Sequence, residues 1–155
     1  MKSIFTIACA LALTGASARA EETFHIVQQK PELVHIDLGK DGASHGDILA
    51  FEAGVTAEDG KTGIMSGIIT TVGIPAKDGE FFDRVGNIVL DFGGIDTLVI
   101  AGKSVYVVGA GEMVVDAPQV RAITGGTGRF IGARGQITTT RRDAGHYDHK
   151  IELVD

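Results

Sequence analysis

The sequence predicts an all-β fold, an antiparallel sheet curled into a barrel, on three observations. Short runs rich in Val, Ile, Thr and Phe recur along the chain, separated by Gly, Asp or Pro. No segment carries an apolar stripe at i, i+3, i+4 through three turns, as an amphipathic helix would. Glycines, of which there are 22, stand inside the runs as well as between them. Gly67, Gly86 and Gly135 would weaken a flat sheet but ease the bending that closes one.

The elements follow in order. Thr23 to Gln29 and Leu33 to Leu38 open the series, separated by Pro31. Asp47 to Val55 alternates cleanly, with Leu49, Phe51, Ala53 and Val55 on one face. Gly63 to Ile74, Val85 to Phe92, Thr97 to Ala101 and Val105 to Val108 come next, then Val120 to Thr124. Ala133 to Thr140 places Ile137 and Thr139 opposite Arg134, Gln136 and Thr138, and Tyr147 to Val154 ends the series. Asp59-Gly60, Asp78-Gly79, Gly93-Gly94 and Ala144-Gly145 supply reversals. Eight to ten short strands with hairpin connections fit a barrel or a sandwich. A closed barrel is favoured, because it leaves no exposed edges.

The start of the chain reads as an address. Met1-Lys2-Ser3, the apolar run Ile4 to Leu13 and the exit Ala18-Arg19-Ala20 form a secretory signal cleaved before Glu21. Ten apolar residues are too few to span ~30 Å of hydrocarbon, so no membrane anchor is expected. Cys9 leaves with the signal, and the exported, periplasmic or secreted domain 21–155 must fold without a disulfide. That excludes thiol catalysis and cysteine-based metal sites. The exported part carries 12 basic against 20 acidic side chains, a net charge of −8, which argues against nucleic acid.

Residues 122 to 134, Ala-Ile-Thr-Gly-Gly-Thr-Gly-Arg-Phe-Ile-Gly-Ala-Arg, invite a dinucleotide-binding reading. That turn requires a following helix to face the pyrophosphate, then a second parallel strand. Only 21 residues follow Arg134, and the threonines 138 to 140 favour a strand. The segment is a glycine turn between two strands.

Read so, Val120 to Gly135 closely resembles the signature of plant dirigent proteins, a Gly-Gly-Thr-Gly turn, an aromatic, then Ala-Arg-Gly. Thr124 to Gln136 fits the related Thr-Gly-Gly-x-Gly-x-Phe-x-Gly-x-x-Gly-Gln of allene oxide cyclases. Gly46-Asp47-Ile48-Leu49-x-Phe51 and Gly63-Ile64-x-x-Gly67 resemble shorter cyclase motifs. The resemblance spans Leu33 to Val154. It implies an eight-stranded antiparallel barrel with an apolar cavity, usually a trimer, using neither metal nor organic cofactor. Relatives of this kind act on reactive lipophilic intermediates, closing a fatty-acid epoxide or orienting phenoxy radicals.

The matching cyclase strand carries a glutamate and an asparagine where His35 and Asp37 stand here. Allene oxide cyclase activity is therefore not transferred, although both positions remain polar. Dirigent proteins place an aspartate after a histidine on that strand, a pair that His35-Ile36-Asp37 loosely resembles, and Arg134 matches their arginine.

Candidate catalytic residues are thus Asp37, His35 and Arg134, with Tyr106, Phe51 and Leu49 as cavity contacts. His35 and Asp37 share a face with Leu33, and form an acid/base pair if that face lines the barrel mouth. The alternative is that Val34, Ile36 and Leu38 point inward instead. Arg134 stabilises negative charge on a substrate or closes a salt bridge at the barrel end. His146 and His149 point to opposite sides of a strand and do not chelate one ion. Ser44 and Ser104 lack hydrolase partners. The expectation is a barrel binding a small lipophilic molecule, steering a cofactor-free cyclisation, isomerisation or coupling. The rivals are a carrier and a structural trimer, the last marked by an interior with no space above ~300 Å³.

Overall fold

The computed structural model describes residues 22–74, 81–107 and 112–154. The expected leader with Cys9, and the expected Asp78-Gly79 reversal, lie outside them. Nine strands form a single antiparallel sheet: β1 (Glu22–Gln28), β2 (Glu32–Ile36), β3 (Ile48–Ala57), β4 (Thr62–Gly73), β5 (Phe81–Asp91), β6 (Thr97–Val107), β7 (Gln119–Gly126), β8 (Arg134–Arg141) and β9 (Tyr147–Val154). Their order is β1-β9-β8-β7-β6-β5-β4-β3-β2, and β1 also pairs with β3 through Ile26↔Ala57 to Gln28↔Val55. That pairing closes an eight-stranded barrel and leaves β2 as an extra strand.

β1 and β2 lie one after the other along the same edge of β3. The ladder passes from Gln28↔Val55, through a Gln29 N–H to Gly54 bond of 2.9 Å, to Glu32↔Glu52. Pro31, buried and without an N–H, marks the break between them. Beyond it the chain no longer pairs with β9, so β2 widens one mouth of the barrel.

One expected boundary is absent. Thr97 to Ala101 and Val105 to Val107 belong to one strand, β6, which runs on through Gly102, Lys103 and Ser104; Val108 lies outside the described residues. Gly102 sits at φ +150°, a conformation L side chains rarely adopt, and a Cβ there would make ordinary contact with Arg121 at 3.4 Å. The glycine serves the backbone inside the strand rather than ending it.

Alternation sorts the side chains as expected. Leu49, Ala53 and Val55 of β3 and Ile137 and Thr139 of β8 are buried. The inner face divides into two ends. At one, Leu90, Leu98, Ile100, Ile151 and Leu153 pack into a continuous apolar core. Each such side chain, fully buried, is worth roughly 1.5–3 kcal/mol. At the other, Leu49, Ile69, Phe82, Tyr106, Met113 and Tyr147 form a smaller cluster.

The glycine-rich segment closes the first end. It forms a single 3-10 turn, Gly128–Phe130, and no helix follows it. Gly128 has φ +59°, and a Cβ there would collide with the Asp96 carboxylate and the Ile95 carbonyl. Asp96 accepts the Arg129 N–H at 3.0 Å, and Thr127 meets the Thr97 hydroxyl at 2.7 Å. So fastened, the turn drives Phe130 into the barrel end, 5.7 Å from the Phe92 ring and 6.5 Å from Phe24.

Candidate functional site

The other end is where polar groups converge. Strands β5, β6 and β7 aim Arg84, Ser104, Tyr106 and Arg121 inward, while β1, β8 and β9 contribute Gln28, Thr139 and His149. Apolar walls of Leu49, Phe51, Met65, Ile69 and Met113 complete a small internal cavity of ≈ 50 Å³. At ~10–15 Å³ per water this is room for about three to five waters, well below a ~300 Å³ ligand pocket. A second depression of ≈ 410 Å³ lies at the rim, lined by His35, Asp37, Asp47, Thr71 and Arg84, and Leu49 borders both.

Tyr106 stands between two guanidinium groups. Arg121 donates from Nη2 to its hydroxyl at 3.1 Å and to Ser104 Oγ at 2.7 Å. Arg84 lies 5.0 Å over the Tyr106 ring and 5.1 Å over Phe82, and its Nε donates to Thr71 Oγ1 at 3.2 Å. Burial lowers the pKa of Arg84 below the usual arginine value, opposed by the Asp47 charge.

His149 is held neutral. Its Nε2 meets Gln28 Oε1 at 3.0 Å, and the amide oxygen can only accept, so Nε2 carries the proton. Nδ1 then accepts from Thr139 Oγ1, also at 3.0 Å. Desolvation first, then the Arg121 charge, pushes its pKa down to about 3. Burial raises the Tyr147 phenol above its ordinary value, assisted by Glu112. The set can orient a polar substituent and stabilise an oxyanion inside an otherwise apolar space.

The residues expected from sequence are distributed unevenly. Tyr106, Phe51 and Leu49 all line the internal cavity. Leu33 faces the barrel interior, whereas Val34, Ile36 and Leu38 are exposed, so His35 and Asp37 lie on the inner side of their segment. Because β2 overshoots the barrel, both are solvent-exposed at the rim depression. Asp37 follows the strand end and accepts the Gly42 N–H at 2.9 Å. Arg134 does not join them. It is exposed at the start of β8, paired with Val154 at the plugged end. His146 approaches Asp148 on the outer side at 3.7 Å while His149 points inward.

Arg84, Arg121 and His149 were the residues sequence reasoning missed. The available signal was a charged or polar residue in phase with the apolar face: Phe82, Arg84, Gly86, Ile88, Leu90 on β5, and Arg121, Ile123 on β7. Starting β5 at Val85 concealed the first of these.

No family model matches the sequence, and no curated protein does. Among solved structures, a pyocyanin demethylase superposes with a TM-score of 0.67 at 16% identity, covering 86% of this chain and 100% of that one. A pterocarpan synthase dirigent protein gives a TM-score of 0.57 at 20% identity, over 85% and 82%. The fold is a dirigent-like barrel. A heme-binding cyclase catalysing a cycloaddition in neoabyssomicin biosynthesis shares this dirigent-like architecture, with a TM-score of 0.57 at 16% identity, over 90% of this chain and 64% of that one.

Proposed function

We propose that this dirigent-like barrel is exported and takes a small lipophilic molecule through its open end, steering a cofactor-free cyclisation, isomerisation or coupling. The observation that carries the reading is the one-sided interior: an apolar plug at one end, and convergent hydrogen-bonding groups on apolar walls at the other. The structural neighbours, a demethylase, a synthase and a cyclase, support it as fold-level analogy. A ligand would seat its polar tip beside Tyr106 and its bulk toward the rim, where His35 and Asp37 would move protons. Confinement and orientation would supply most of the rate.

The ≈ 50 Å³ interior falls below the ~300 Å³ mark and so favours a structural role for the barrel, while the ligand reading rests on the ≈ 410 Å³ rim depression. The two separate by extracting purified protein into organic solvent and identifying what co-purifies. A bound compound that the protein converts, with conversion lost in Asp37→Asn, supports the enzyme. A compound retained unchanged points to a carrier. No bound compound and no conversion support the structural role.

Export predicts that the protein recovered outside the cytoplasm begins at Glu21. Self-association, as a trimer by resemblance, is supported by the outer face of β2, β4 and β5. Val34, Ile36, Ile68 and Val85 are 40–57% exposed there, and are linked through Val34↔Ala50↔Ile68 and Ile36↔Ile48↔Thr70↔Val85.

A further inference from the structure

We infer that the molecule taken into the barrel carries a carboxylate, and that Arg121, flanked by Tyr106 and Ser104, receives it. This rests on the ligand-binding reading above and adds the chemical class of the ligand.

Arg121 is 5% exposed and Arg84 7% exposed, and no Asp or Glu is among the buried polar side chains of the described residues. Nε of Arg121 and Nη1 of Arg84 are buried without a hydrogen-bond partner among those residues. The groups that Arg121 does reach, Ser104 and Tyr106, are neutral hydroxyls. None of the nearby acids bonds Arg121, although Glu112 Oε1 is itself buried without a partner and the Asp47 charge acts on Arg84. Asp47 accepts from Leu38 N, Ser44 N and Ser44 Oγ, Asp37 from Gly42 N, and Glu112 pairs with Arg141 at 2.6 Å. His149 is neutral and adds no compensating charge.

Arg84 has the Asp47 charge beside it at the rim, whereas Arg121 is buried with neutral hydroxyls as its hydrogen-bond partners. A buried charge left unpaired is strongly unfavourable, whereas a carboxylate arriving with the ligand would satisfy it. With Nη2 already donating to Ser104 and Tyr106, Arg121 keeps its buried Nε–H for a carboxylate oxygen, a charge-assisted bond. Ser104 and Tyr106, having accepted from Arg121, each retain a hydroxyl proton to donate to the same oxygens. The ≈ 50 Å³ interior suits a headgroup of this size, and Leu49 lines both it and the rim depression.

The test is calorimetric titration of the full exported protein with octanoate, octanol and octylamine, three probes of matched length. Octanoate is expected to bind at least about tenfold more tightly than octanol, and octylamine no better than octanol. Arg121→Met should remove that preference, so that octanoate binds no more tightly than octanol. Should this variant not fold, the side-chain Nε–H resonance of Arg121 in the wild type is expected to shift with octanoate and not with octanol. Octanol binding as tightly as octanoate would overturn the carboxylate assignment while leaving ligand binding intact. Octanoate affinity unchanged in a folded Arg121→Met, or an unmoved resonance, would overturn it equally. If none of the three binds, the inference and the ligand-binding reading fall together.

Discussion

His149 on β9 and Gln28 on β1 meet inside the barrel at 3.0 Å, adding a side-chain hydrogen bond to the ladder that joins the two terminal strands. The imidazole fills its remaining valence on Thr139, so protonation would break an existing bond as well as place a third cation beside Arg121.

Acid should therefore destabilise the fold through this residue. The folded pKa of about 3 lies below the ordinary 6.5, so the unfolded chain binds the extra proton between those values. The stability contribution is complete above 6.5 and is lost as pH falls toward 3. Between about pH 6.5 and 5, where carboxylates have yet to titrate, urea midpoints should decline in the wild type. In His149→Gln that slope should flatten. An equal slope in both proteins would contradict the burial of a neutral imidazole.

Phe130→Ala should destabilise the barrel by about 3–5 kcal/mol, since it empties the plug formed with Phe24 and Phe92. Thermal unfolding would show the loss. Probe binding at the opposite end should persist wherever the variant remains folded, and its disappearance there would contradict the separation of the two ends.

Replacing Arg121 by methionine should leave the thermal midpoint unchanged or raise it, because an uncompensated buried charge is exchanged for an apolar chain of similar length. A loss of about 3 kcal/mol or more would mean that its bonds to Ser104 and Tyr106 serve to hold the wall together.

Ile68→Glu introduces a charge at the centre of the outer apolar stripe, beside Ala50 and Asn87 in the ladder. If copies of the chain associate there, sedimentation should record a shift toward monomer with unchanged strand content. A wild-type protein that already sediments as a monomer would remove the proposal.

What could be read in advance followed from local rules. Leu49, Phe51, Ala53 and Val55 declared a face by alternation, and Gly60, Gly93 and Gly145 take the positive φ their turns required. The glycine segment was legible as a strand connection because no helix could follow it. Gly102 misled, since a glycine that takes a positive φ inside a strand looks, in one dimension, like a glycine that ends a strand.

The site was legible only in part. Tyr106, Phe51 and Leu49 lie in phase with the inner face and line the cavity. Resemblance grouped Arg134 with His35 and Asp37, yet β8 starts at the plugged end while β2 runs past the open one.

Sequence alone determined the strands, their inward faces and most reversals, because backbone sterics and the two-residue period act between neighbours. Tertiary structure decided that Arg84 and Arg121 would bracket Tyr106, and that Gln28 would reach His149. Those meetings depend on ladder register and on the β1–β3 closure between segments far apart in the chain. No local preference encodes them; they arise only when the whole sheet buries its inner face at once.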